Sequence, residues 1–137
     1  VSVMQGQLSN YSTDLFQPII KQIETISAAS YKADPVPFQV ISDHVRMLCF
    51  AIADGALPSN EGRGYVLRRI LRRAARYGRM INMSEPFIFE LVSSVGDVMG
   101  DTFPELIDKK LWPCYFFKSD TTGEKYVEEF YFNQILK

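Results

Sequence analysis

The chain has 137 residues, of which 47% are hydrophobic and 23% charged, with a formal net charge of −1. This apolar fraction is too high for a disordered chain, and no run approaches the ~18 consecutive apolar residues expected of a membrane-spanning helix, so one soluble globular unit is expected. Cys49 and Cys114 stand far apart and outside any CxxC or His/Cys cluster, which gives no basis for a disulfide framework or a zinc site and makes a reducing cytosol the default compartment. Val1 is not an initiator residue, no signal-peptide pattern opens the sequence, and the chain reads as a piece of something longer.

In chain order, Gly6 to Ser12 reads as loop. Asp14 to about Ala29 reads as an amphipathic helix, because Leu15, Phe16, Ile19, Ile20, Ile23 and Ile26 recur at three- and four-residue intervals. Asp14 is its expected N-cap, Gln17 completes a capping box, and Pro18 falls in the first turn. Pro35 and Pro37 mark an extended connection over 30–37. A second helix is expected from about Phe38 to Ala53 on Ile41, Val45, Leu48 and Ile52, with Gly55 as a left-handed stop. Ala56 to Gly64 is a loop, and the next helix runs from about Arg63 to Tyr77. Ser84 is the expected N-cap of a fourth helix, whose buried stripe is Phe87, Ile88, Leu91, Val92, Val95 and Met99 and whose end is Gly100. Pro104 to Leu111 fits one short helix. Beyond Trp112, CYFFK favours strand, SDTTGE favours turn, and KYVEEFYFNQIL fits either state. The fold class expected is therefore mainly α, a helical bundle-like domain over 1–111, with a tail over 112–137 that admits short strands.

Charge is sharply segregated. Seven of the eight arginines lie between Arg63 and Arg79, and no Asp or Glu occurs between Glu61 and Glu85. On a helical wheel of about 100° per residue, Arg68, Arg79, Arg72, Arg76, Arg69 and Arg73 share an arc of roughly 140°, while Val66, Leu67, Ile70, Leu71, Ala74 and Tyr77 occupy the opposite side. Crowded like charges gain nothing in isolation, so the arc calls for a complement. A nucleic-acid backbone supplies one, since guanidinium donates paired hydrogen bonds to phosphate and keeps its proton. Carboxylates elsewhere in the fold, a partner protein or a membrane surface are the alternatives. Asn60, in the loop ahead of the helix, carries both a donor and an acceptor that could touch base edges; it could equally cap the helix or form an Asx-turn. Asp43 and His44 adjoin, but no nucleophile motif accompanies them and a structural histidine is the simpler account. Gly62 and Gly64 are too few for a phosphate loop, as no Lys-Ser/Thr follows. No catalytic or metal-binding residue is assigned.

The segment ISDHVRMLCFAIADGALPSNEGRGYVLRRILRRAARYG, Ile41 to Gly78, closely resembles the alanyl-tRNA synthetase family. VSVMQGQLSNYSTDLFQPII, Val1 to Ile20, is similar to the family segment following motif 3 of the class II catalytic core, and PFIFELVSSVGDVMGDTFPEL, Pro86 to Leu106, to the next helical stretch. The last thirty residues do not match. The resemblance implies a ligase that activates alanine with ATP and Mg in a catalytic domain absent here, so no cofactor is expected in this segment. It implies a helical domain that contacts the tRNA(Ala) acceptor stem in the cytoplasm, with no membrane role. Asn60 matches the family's Pro-Ser-Asn asparagine, implicated in reading a G·U wobble pair. Arg63, Arg68, Arg69, Arg72 and Arg73 match its GRGYVLRRILRR run, where phosphate contact or structural support is expected, and Arg76 extends the same arc. The rival reading is a structural module whose arginine helix packs against an acidic partner domain. The wide, shallow A-form minor groove lets a loop side chain reach base edges, and one such amide contact is worth about 1–3 kcal/mol.

Overall fold

The computed structural model describes residues 1–108, 114–117 and 129–132, the last two segments as backbone. A 3-10 turn at Asn10–Ser12 precedes five helices: α1 (Gln17–Ser27), α2 (Pro35–Ala53), α3 (Gly62–Met80), α4 (Ile88–Met99) and the short α5 (Glu105–Asp108). Strands β1 (Cys114–Phe117) and β2 (Glu129–Phe132) pair antiparallel, with Tyr115 opposite Tyr131. The mainly helical class is thus observed, and CYFF is a strand; the turn expected over 119–124 lies outside the described residues.

The caps differ from expectation at two helices. Asp14 does not cap α1: its carboxylate accepts from Gln5 Nε2 at 2.6 Å and its backbone N–H donates to Gln5 Oε1. Gln17 closes no capping box either, because its Nε2 donates to the Tyr11 carbonyl at 2.7 Å. A turn over residues 14–16 intervenes, in which the Thr13 carbonyl accepts from Phe16 and Gln17, and α1 starts at Gln17 with Pro18 in its first turn. Likewise α4 starts at Ile88, not beside Ser84, and Phe87 stands at its N-cap with no side-chain bond. Apolar burial sets that boundary, since Phe87 and Ile88 are both in the core.

Helix α2 begins at Pro35, three residues earlier than its apolar period suggests. The two prolines fall in the first turn, where an N–H would have no intrahelical acceptor, so their lack of a donor costs nothing. Gly55 stops the helix as expected: at φ 88° its N–H donates to Ile52 and that of Ala56 to Ala51, the two bonds of a Schellman cap. Helix α3 continues through Gly78 to Met80, past the expected end. The Phe87 ring occupies the space a Cβ at Gly78 would need, and the chain turns instead at Asn82, which adopts φ 65°.

Helix α2 lies at the centre, touching α1, α3, α4 and α5. Its Phe38, Ile41 and Val45 are fully buried and meet Ile19 and Ile23 of α1, Leu71 and Ala74 of α3, and Leu91 and Val95 of α4 in one apolar cluster. Each such side chain contributes about 1.5–3 kcal/mol of transfer free energy. The expected α4 stripe is buried except Val92, which is half-buried. Two polar side chains enter the core with their bonds satisfied locally: Thr13 Oγ1 donates to the Asn10 carbonyl at 2.6 Å and Ser42 Oγ to the Gln39 carbonyl at 3.1 Å. Among the described helices, Pro35–Ala53 is long and apolar enough by composition to cross a membrane, yet its apolar residues are the ones that pack against four neighbouring helices.

Candidate nucleic-acid interface

Helix α3 packs its Leu67, Leu71, Ala74 and Gly78 inward against α2 and turns Arg63, Arg69, Arg72, Arg73, Arg76 and Arg79 outward, all exposed. The two arcs of the wheel are realised with one correction. Val66, expected on the apolar side, is 52% exposed, because it sits at the arc boundary where α2 does not reach.

The loop before α3 is folded onto the helix it introduces. Ser59 Oγ donates to the Glu61 carbonyl at 2.8 Å, and a Cβ at Gly64 would lie 2.7 Å from the Ser59 nitrogen and closer still to Ser59 Oγ and the Leu57 carbonyl. Only glycine lets the loop pass there. Residues 64 and 68 lie on one helical stripe, so a loop laid across Gly64 arrives at Arg68. Asn60 meets Arg68 there, its Oδ1 accepting from the guanidinium Nη1. Asn60 is therefore not a helix cap: the N-cap position belongs to Glu61, and no side chain bonds the first turn.

The arginines have distinct surroundings. Arg68 is half-buried, and its Nε is enclosed without a hydrogen-bond partner among the described residues. Arg69 stacks over the Tyr65 ring and Arg73 over the Tyr77 ring, each at 5.9 Å from the centroid. Arg72 and Arg79 each have an interacting partner. For Arg63, Arg69, Arg73 and Arg76, no ion pair with a carboxylate occurs among the described residues. The internal salt-bridged version of the rival reading therefore has no support on this part of the arc.

Two neighbours were not singled out by their chemistry in the sequence. Tyr65 and Tyr77 stand four residues from Arg69 and Arg73, a spacing that could have revealed the stacked pairs. His44 of α2 faces α3: its Nε2 is buried without a partner, and burial first, then the Arg73 guanidinium, lower its pKa from the ordinary value of 6.5, with Asp43 opposing. His44 is thus a neutral packing residue and shares no site with a nucleophile. No group of three His, Cys, Asp or Glu side chains able to hold a metal ion occurs among the described residues.

The family described as tRNA synthetases class II (A) matches this chain over residues 1–111. Three curated proteins of high similarity are all named alanine–tRNA ligase. That of Streptococcus mutans is 54% identical over 112 residues (80% of this chain, 13% of its own), and that of Bacillus subtilis 55% over 112 residues (80% and 13%). That of Streptococcus suis is 44% identical over 138 residues (93% and 16%), an alignment too long to end at Leu111 and so reaching into the tail. The chain spans 13% to 16% of the length of these relatives. A match over four-fifths of the chain, which includes the arginine helix and its asparagine loop, establishes that the chain belongs to the class II (A) tRNA synthetases, as a segment of the alanyl-tRNA synthetase kind.

Proposed function

We propose that this segment binds the acceptor stem of tRNA(Ala) on behalf of a longer alanine–tRNA ligase and performs no chemistry itself. The observation that carries this is the outward face of α3, where Arg63, Arg69, Arg73 and Arg76 are exposed and unpaired by carboxylates among the described residues, with Asn60 at its head. Guanidinium groups spaced along about 20 Å of helix match a phosphate backbone, and counterion release provides affinity without reading sequence. The asparagine loop then supplies the contact with base edges, where the G·U wobble pair differs from its Watson–Crick counterparts in the donors and acceptors shown.

Gly62 and Gly64 lead into arginines without the Lys-Ser/Thr of a phosphate loop, so the binding of ATP and Mg is proposed for the rest of the longer protein. Alanine activation is accordingly assigned to the rest of the longer protein. The test is a titration of the full chain with an acceptor-stem duplex at two salt concentrations. Arg69→Ala and Arg73→Ala should each weaken binding to every stem alike and reduce the slope of log affinity against log salt by about one. Asn60→Ala should lower affinity for the wobble stem alone. No binding at low salt would overturn the proposal.

The exposed Tyr65 and Val66, at 48% and 52%, favour a second reading in which α3 also abuts the catalytic domain. Protection of these two residues from solvent in the longer protein, with no change on adding RNA, would identify that contact.

A further inference from the structure

Among the arginines of α3, Arg68 is the half-buried one whose guanidinium is engaged by the asparagine loop. A guanidinium has five N–H donors and no acceptor, so the atom of Asn60 that faces it must be the carboxamide oxygen. The NH2 group, on an exposed loop residue, has no partner among the described residues. Resting on the acceptor-stem reading above, we infer that Arg68 is a positioning residue: it holds the Asn60 carboxamide oxygen internally, so that the loop presents the NH2 group as a hydrogen-bond donor to an acceptor atom on an RNA base edge. One lone pair of Asn60 Oδ1 is thereby committed to Arg68 while both N–H donors stay free among the described residues, so donation is the contact the loop favours. Arg68 correspondingly is not one of the cations available to the backbone, unlike Arg69 and Arg73 beside it. Gly64 completes the device, since a side chain there would lift Ser59 and carry Asn60 away from Arg68.

The first experiment needs no RNA. In the full chain, labelled with 15N, the Asn60 side-chain amide should show a heteronuclear NOE close to that of the α3 backbone, and should become mobile in Arg68→Met. An amide already mobile in the wild type would overturn the inference. The second experiment compares affinities for two stems that differ only in a wobble or Watson–Crick pair. Arg68→Met should lower the affinity ratio about 10-fold, the size expected for one base-edge contact, with little change for the poorer stem. In an Asn60→Ala background the same change should leave the ratio unaltered. Asn60→Asp keeps the acceptor for Arg68 but has no donor, and should abolish the ratio while the helix content is retained. A uniform loss on both stems, with the salt slope reduced by about one, would make Arg68 a phosphate contact and overturn the inference while the acceptor-stem proposal stands. Failure of the wild type to bind either stem would instead remove the proposal on which it rests. If Arg68→Met does not fold, the wild-type amide measurement and Asn60→Asp decide.

Discussion

A methyl group added at position 64 would collide with backbone, the Ser59 nitrogen and the Leu57 carbonyl, and neither can yield as the end of a flexible side chain could. Gly64→Ala should therefore cost about 1–3 kcal/mol, measured by urea unfolding, although alanine is the better helix former. His44 makes a different kind of prediction. Its depressed pKa means that the folded chain binds fewer protons than the unfolded one, so its contribution is complete above an unfolded value of about 6.5 and is lost as the pH falls below that through the native pKa. The melting temperature should fall between pH 7.5 and 5.5, and His44→Leu should flatten that part of the profile. At this scale the sequence showed which residue types mattered. Asn60 stood out as a group with both a donor and an acceptor, but its partner eight residues away depends on how the loop lies over Gly64, which no periodicity encodes. The empty Nε2 environment of His44 is likewise a property of two helices in contact.

At the scale of elements, helices were legible wherever apolar spacing repeated, and their ends were legible only where a backbone requirement left a residue signature. Gly55 satisfied such a requirement at the end of α2. Asn82 did so at the end of α3, since asparagine tolerates the left-handed region, while Gly78, just past the expected end at Tyr77, serves to admit the Phe87 ring. Asp14 and Ser84 looked like caps and are not, because a glutamine from residue 5 takes the first and burial of Phe87 and Ile88 starts the helix behind the second. The wheel placed Val66 one step too far inward. Ile41→Ala on α2, at 0% exposure, should cost about 2–5 kcal/mol, whereas Val66→Ala should fall within about 0.5 kcal/mol, and thermal unfolding of the two variants checks the boundary.

For the whole molecule, the described core draws its side chains from Phe16 through Leu106. A chain ending at residue 108 should thus keep its helical circular dichroism and unfold in one cooperative transition; gradual loss of signal would show that the remaining residues complete the core. The mainly helical class and the family were both readable beforehand, but the likeness extends further than the sequence reading placed it, since one relative aligns over 93% of the chain and so into the tail. The central place of α2 was not, because linear spacing tells which face is apolar and not how many neighbours cover it. The segregation of charge, seven arginines on one outward helix against a remainder rich in acids, also gives the molecule an electric polarity that its net value of −1 hides. Approaching a polyanion, it experiences a torque before any contact, which turns α3 forward and raises the encounter rate at low ionic strength. In chromatography this anionic protein should adhere to heparin or another sulfated resin near neutral pH and elute with modest salt, and charge reversal at Arg69 and Arg73 should send it through in the wash.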